Sequence, residues 1–310
     1  MKKNFKIFLY VLMTTIHAYA QEFTSEEIKV NTNVEGTLLL PNTQEENSIP
    51  FVILIAGSGP TDRDGNQSFM KNDALKKIAE ALSQKGIATF RYDKRIVKQI
   101  RNQNIDKNIS FDDFVIDARS VIGFFKSKFE TIIVAGHSQG SLVGLLALDA
   151  GASGFISLAG AGKPIDEILE EQIAKTAAVF SKSTERVLNV LRSGETTSEY
   201  PPELASIFNL ELQAFLISWM QYNPAKIIAN TPLPILIING DKDLQVDVKE
   251  AQLLNSAAQN SKLIIIEHMN HVLVKIDGDD LENAKSYNNP NLKINEELIN
   301  AIQEFTLAID

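Results

Sequence analysis

The sequence predicts an α/β fold, a mainly parallel sheet with helices on both faces and a helical insertion late in the chain. Three observations predict it. Short apolar runs alternate with apolar stripes at helical spacing along most of the chain. The run Phe51 to Ala56 is continuously apolar, as expected of a strand covered on both faces. Between about residues 164 and 229 the strand rhythm stops and only helical spacing remains.

The elements follow in order. Residues 26 to 41 read as a strand pair with Gly36 at the bend and Pro41 closing it. After the run ending at Gly57, a helix is expected from about Asp73 to Lys85, with Leu75, Ile78, Ala79 and Leu82 on one stripe and Gly86 as its stop. Ile87 to Tyr92 is the next strand. Ser110 and Asp113 form a capping signal for a helix whose Phe114, Val115, Ala118, Val121, Ile122 and Phe125 face the core. Strands are expected at Thr131 to Ala135, Gly154 to Leu158, Pro234 to Asn239 and Leu263 to Glu267. Helices are expected from Gln139, near Val248 to Ala257, and from about Ile294 to Leu307. An all-helical segment inserted late in such a sheet is expected to act as a lid.

Composition narrows the function classes. With 44% hydrophobic and 22% charged residues over 310 positions, the chain has the balance of a globular enzyme and enough length for one large domain. Lys2, Lys3 and Lys6 precede an apolar run from Ile7 to Met13, and Ala18-Tyr19-Ala20 supplies small residues for cleavage, the pattern of a secretory signal peptide over residues 1–20. A retained anchor is the alternative. The apolar run is shorter than the ~20 residues a spanning helix needs, so no stable membrane span is expected after cleavage near Ala20. The expected mature domain is 21–310, exported to the periplasm or secreted. Loss of those three lysines moves the formal charge from -9 to -12, and no Lys/Arg cluster suits phosphates, so nucleic acid is not an expected partner. The absence of cysteine excludes disulfides, a thiol nucleophile and cysteine zinc sites.

Gly136-His137-Ser138-Gln139-Gly140 falls where a strand turns into a helix, with Gly144 one turn on. Flanking glycines permit the strained turn that lifts a serine hydroxyl clear of a sheet, so Ser138 is the candidate nucleophile. A hydroxyl is weak without a base. Of four histidines, His17 leaves with the signal segment and His137, inside the turn, is expected to project away from the catalytic face. His271, in the loop after the last strand, is preferred as base over His268, which adjoins the strand end and reads as structural. The orienting acid is expected in Asn239-Gly240-Asp241-Lys242-Asp243, with Asp243 as the acid and Asp241 bracing the turn through its own backbone. Oxyanion donors are expected at the amides of Ser58, in the glycine-rich turn Ala56-Gly57-Ser58-Gly59-Pro60, and of Gln139. Asp62, Asp64 and Asn66 echo the opening of a calcium loop, but Gln67 stands where its glycine belongs and no closing glutamate follows, so a self-bonded loop is expected and no metal or cofactor. Leu212, Phe215, Leu216, Trp219 and Met220 form a helical stripe expected to pack the lid on the body, with one or two lining an acyl pocket.

The order Ser138, Asp243, His271 is that of α/β-hydrolases, and the motifs resemble those of the bacterial α/β-hydrolases grouped with dienelactone hydrolases and serine aminopeptidase-like esterases. The likeness rests on Val34-Glu35-Gly36-Thr37-Leu38, the run Gly57 to Asn66, Arg91-Tyr92-Asp93-Lys94-Arg95 and Met269-Asn270-His271-Val272-Leu273. It implies the α/β-hydrolase fold and a carboxylesterase acting on small acyl esters, and it supports His271. Ile96, Val97 and Lys98 stand where such sequences carry glycine and a small residue, so the loop there is expected to take a different course. A serine peptidase or acyl thioesterase on the same triad, or a non-catalytic binding module on a hydrolase fold, are the competing readings.

Overall fold

The computed structural model describes residues 23–42 and 49–309, and the expected signal segment with its cleavage point lies outside them. The chain opens on an antiparallel pair, β1 (Phe23–Lys29) and β2 (Glu35–Pro41). It continues through β3 (Phe51–Ile55), α1 (Ala74–Gln84), β4 (Ala88–Tyr92), α2 (Arg95–Arg101), α3 (Phe111–Phe125), β5 (Ile132–His137), α4 (Gln139–Ala147) and β6 (Gly154–Leu158). Helices α5 (Ile165–Thr176), α6 (Ser181–Arg192), α7 (Ala205–Phe208), α8 (Leu210–Met220) and α9 (Pro224–Ile228) then intervene. The sheet resumes with β7 (Ile235–Gly240), followed by α10 (Val248–Ala257), β8 (Ser261–Ile266), α11 (Asp280–Ser286) and α12 (Glu296–Leu307).

The eight strands lie in the order β1-β2-β4-β3-β5-β6-β7-β8, parallel from β4 through β8. From β3 the chain moves to one side for β4 and to the other for β5. That reversal opens a crevice between the carboxyl ends of β3 and β5, the place where open α/β sheets bind ligands. Strand alternation divides the core. Phe51, Ile53 and Ile55 point into one cluster with α3 and α4, while Val52 and Leu54 pack on the other face against Leu75, Ile78 and Leu82 of α1 and Leu298 and Ile302 of α12. Each such fully buried side chain contributes about 1.5–3 kcal/mol of transfer free energy. The Ser110–Asp113 capping box starts α3 as its sequence implies.

One local expectation fails. Gly36 is not at the bend; Val30 donates to the Val34 carbonyl across it. Gly36 instead sits within β2, where a Cβ would lie 2.3 Å from the Arg91 carbonyl oxygen and 2.5 Å from the Phe90 ring. The segment from Arg95 forms the short helix α2, which buries only Val97.

Helices α5 to α9 have a small core of their own, with Ile173, Val187, Leu188, Leu191, Phe208 and Leu216. This cap is fastened to the body along α3. Trp219 stacks on Phe111 with centroids 5.5 Å apart, Phe215 packs on Phe114 at 5.6 Å, the Phe111 amide donates to Ser218 Oγ at 2.9 Å, and the Tyr222 hydroxyl donates to Asp112. At its start, the amides of Gly162 and Lys163 donate to the buried Glu250 carboxylate, each at 2.9 Å.

Candidate active site

Ser138 caps α4 directly after β5, with φ 54° and ψ -121°. A positive φ in a residue with a side chain costs on the order of 1–3 kcal/mol, and the surroundings must enforce it. They do so by close approach. A Cβ on Gly136 would lie 2.1 Å from the Gly140 carbonyl oxygen, and one on Gly140 would lie 2.4 Å from the Ile55 carbonyl oxygen. Only glycine lets strand, turn and helix come this near. The Ser138 amide donates to the Leu158 carbonyl at 2.8 Å, which fixes the turn to β6.

Asp243, from the loop after β7, pairs with His271, from the loop after β8, which lines one cavity with Ser138. Their side chains, 0% and 5% exposed, meet at 2.8 Å between Asp243 Oδ2 and His271 Nδ1. The other Asp243 oxygen accepts the amides of Gln245 at 2.8 Å and Val246 at 2.9 Å, so the carboxylate cannot rotate away. The histidine loop is anchored by Asn270, fully buried, whose side-chain amide donates to Asn283 Oδ1 and Ser286 Oγ of α11. Asn283 in turn donates to the Lys242 carbonyl at 2.7 Å, joining the acid and histidine loops. Asn270 enters the sequence reading only within the histidine-loop motif, and Asn283 and Ser286 not at all, because buried asparagines look like those of any polar loop.

His268 lies elsewhere. Its ring is 40% exposed beside Glu267, and its amide donates to Asp241 Oδ1 at 2.6 Å. Asp241 therefore braces the end of β8 rather than its own turn. His137 departs from expectation. Instead of projecting away, its ring packs 4.8 Å from that of His271, and its Nε2 is 2.8 Å from the His271 carbonyl oxygen. Burial, and next the neighbouring His271, pull its pKa down to about 4. A neutral His137 thus donates through Nε2 to that carbonyl and helps to hold His271 in place.

Ser58 follows β3 and has no acceptor for its amide among the described residues, while Gln139 is the first residue of α4, whose amide lacks an intrahelical partner. Both line a cavity of about 420 Å³ together with Ser138. Its walls are largely apolar, from Leu142 of α4, Ile165, Ile168 and Leu169 of α5, and Phe215, Leu216 and Trp219 of α8. A second cavity, about 260 Å³, opens on the other side of Ser138 and includes His271 with Thr61, Gln67, Asn72 and Tyr287. Of the sequence-predicted residues, Ser58 and Ser138 line both cavities, Gln139 lines the larger and His271 the smaller, and Asp243 pairs with His271.

The segments Asp62 to Asn66 and Arg91 to Arg95 lock together. Asp62 accepts the amides of Asp64 and Asn66, so the echo of a calcium loop is a turn bonded to itself. Arg91 Nε donates to Asp64 at 2.9 Å, Arg63 binds the buried Asp93 at 3.0 Å, and Arg95 binds Asp117. Burial pushes the Asp93 carboxyl up, but Arg63 and Arg101 beside it outweigh that and hold it below the usual carboxylate range.

The BD-FAE family model matches residues 37–258, a span that holds Ser138 and Asp243 and ends before His271. Esterase EstD of Thermotoga maritima is 28% identical over 269 residues, which cover 83% of this chain and 62% of EstD, so the chain spans about three-fifths of that relative's length. Among solved structures, Est1E from Butyrivibrio proteoclasticus superposes with a TM-score of 0.57 at 17% identity, covering 92% of this chain and 99% of its own. It has also been solved with ferulic acid bound. The dienelactone hydrolase of Anabaena variabilis gives 0.54 at 13% identity over 93% and 99%. The Pyrococcus furiosus esterase Pf2001 gives 0.54 at 17% over 97% and 96%. At these identities the structures speak for a shared fold.

Proposed function

The chain belongs to the BD-FAE family, and from that premise we propose that it is a serine hydrolase that cleaves carboxylic esters through an acyl-enzyme intermediate. The observation that carries the reading is the buried Asp243–His271 pair beside the strained Ser138 turn. Asp243 accepts the Nδ1 hydrogen, leaving His271 Nε2 free to take the Ser138 proton as Oγ attacks the ester carbonyl. The tetrahedral oxygen receives the amides of Ser58 and Gln139. His271 then returns the proton to the departing alkoxide, and water repeats the sequence to release the acid.

The proton's path sorts the two chambers. The alcohol must leave on the His271 side, toward the smaller, more polar chamber, so the acyl group occupies the apolar chamber under the cap. We read the substrate as an apolar acyl group on a polar alcohol, and the cap of α5 to α9 as the element that selects the acyl group. The amino-terminal pattern through Ala20 supports export, and the acidic composition speaks against nucleic acid as a partner.

Fluorophosphonate labelling tests the chemistry, and hydrolysis of p-nitrophenyl esters graded in acyl length, with a feruloyl ester and aminoacyl amides alongside, tests the class. Labelling confined to Ser138 with turnover of esters over amides is the expected result. An unlabelled wild-type protein would leave a binding module as the better reading.

A further inference from the structure

Lys94 is a lysine in an unusual place. It follows β4, is 5% exposed, and has no carboxylate partner among the described residues, since Asp93 binds Arg63 and Arg101 while Asp117 binds Arg95. Its ammonium has three donors, and three groups surround it. Nζ lies 2.9 Å from the Gly57 carbonyl oxygen, 2.7 Å from Gln139 Oε1 and 4.3 Å from the centre of the Phe114 ring. A methionine would fill the same space without the several kcal/mol that burying an unpaired amine costs.

One oxygen partner is the carbonyl joined to the Ser58 amide, and the other is the side chain of Gln139, the residue whose amide is the second proposed oxyanion donor. The Gly57 carbonyl and the Ser58 N–H belong to one rigid peptide plane, so fixing the oxygen on one side aims the N–H on the other. Accepting a hydrogen bond at the oxygen also polarises the peptide and strengthens the N–H as a donor. Gln139 carries the second N–H and is held by its own side chain.

Resting on the esterase reading, we propose that Lys94 is a positioning residue of the oxyanion hole, clamping the Gly57–Ser58 peptide and Gln139 in the geometry that receives the tetrahedral oxygen. Burial pulls its pKa down to about 7. A neutral amine still has two N–H donors, enough for both oxygens, so the clamp persists on either side of that pH.

The test is Lys94→Met in the full chain, with the active sites counted by fluorophosphonate. We expect kcat per titrated site to fall ~10–100-fold with KM within ~3-fold of wild type, since one preorganised donor is worth more than this when lost outright. The inhibition constant of a trifluoromethyl ketone, whose adduct places an oxyanion in the hole, should rise by a similar factor. Lys94→Gln, which keeps a polar group in the space, is read by the same criteria if the methionine variant does not fold. A folded variant with wild-type kcat per site and wild-type ketone affinity overturns the inference, whatever its melting temperature, and leaves the esterase reading standing. Failure of the wild-type protein to label would instead remove the reading on which it rests.

Discussion

Asp243 divides its two carboxylate oxygens between His271, at 2.8 Å, and the backbone amides of Gln245 and Val246. Asp243→Asn keeps the shape but can present its NH₂ group to His271 and reverse the preferred tautomer. We expect kcat to fall ~10³–10⁴-fold. Asp241→Asn, which changes only the acceptor for the His268 amide, should retain most of the rate. Steady-state kinetics of the two folded variants on one activated ester compare them, and equal losses would contradict the assignment.

Ser138→Ala and His271→Ala should each lower turnover ~10⁴-fold or more while leaving the melting temperature near that of wild type. His268→Ala, at an exposed ring, should lose less than tenfold. A larger loss at His268 than at His271 would exchange their roles.

His137 makes stability depend on acid. Its pKa, about 4 in the folded protein, is near 6.5 in an unfolded chain. Between those values the unfolded state binds more protons, so stability is full above pH 6.5 and declines as pH falls toward 4, by about 1–3 kcal/mol from this group. His137→Gln should flatten that part of the melting temperature against pH profile. Parallel profiles for variant and wild type would show that His137 is not the group responsible.

Trp219 both lines the apolar chamber and stacks on Phe111. Trp219→Ala should therefore lower stability by about 1–3 kcal/mol and shift preference among acyl chain lengths by no more than ~1–3 kcal/mol in kcat/KM. Labelling by a small fluorophosphonate should persist. A folded variant that loses labelling with its acyl preference unchanged would make the cap part of the catalytic centre.

Much of this was legible in the sequence where residue type and chain position answer the same demand. The glycines around Ser138 are required by backbone approach, and the parallel sheet order leaves few loops from which Asp243 and His271 could reach the crevice. What was not legible depended on partners distant in the chain. Gly36 obeys the usual logic of a turn residue, yet it is set by Phe90 and Arg91 on the next strand. His137 is set by the His271 carbonyl, which lies 134 residues further along the chain. Lys94 enters the sequence reading only within the motif Arg91 to Arg95, and its burial depends on Gly57, Phe114 and Gln139 arriving from three other elements.

The cap leaves the sheet after β6 and returns at β7, two strands that are hydrogen-bonded neighbours. The Ala225 amide donates to the Gly162 carbonyl at 3.0 Å, so the two ends of the cap meet, and the entropy of closing such a loop grows only slowly with its length. With an interior of its own around Val187, Leu188, Leu191 and Phe208, the segment is a module. Another helical module could be exchanged for it at the same two joints with the serine, acid and histidine loops untouched, provided it brought aromatic side chains to meet Phe111 and Phe114. On the proposed reading of the cap as the acyl-selecting element, such an exchange would change selectivity without touching reactivity.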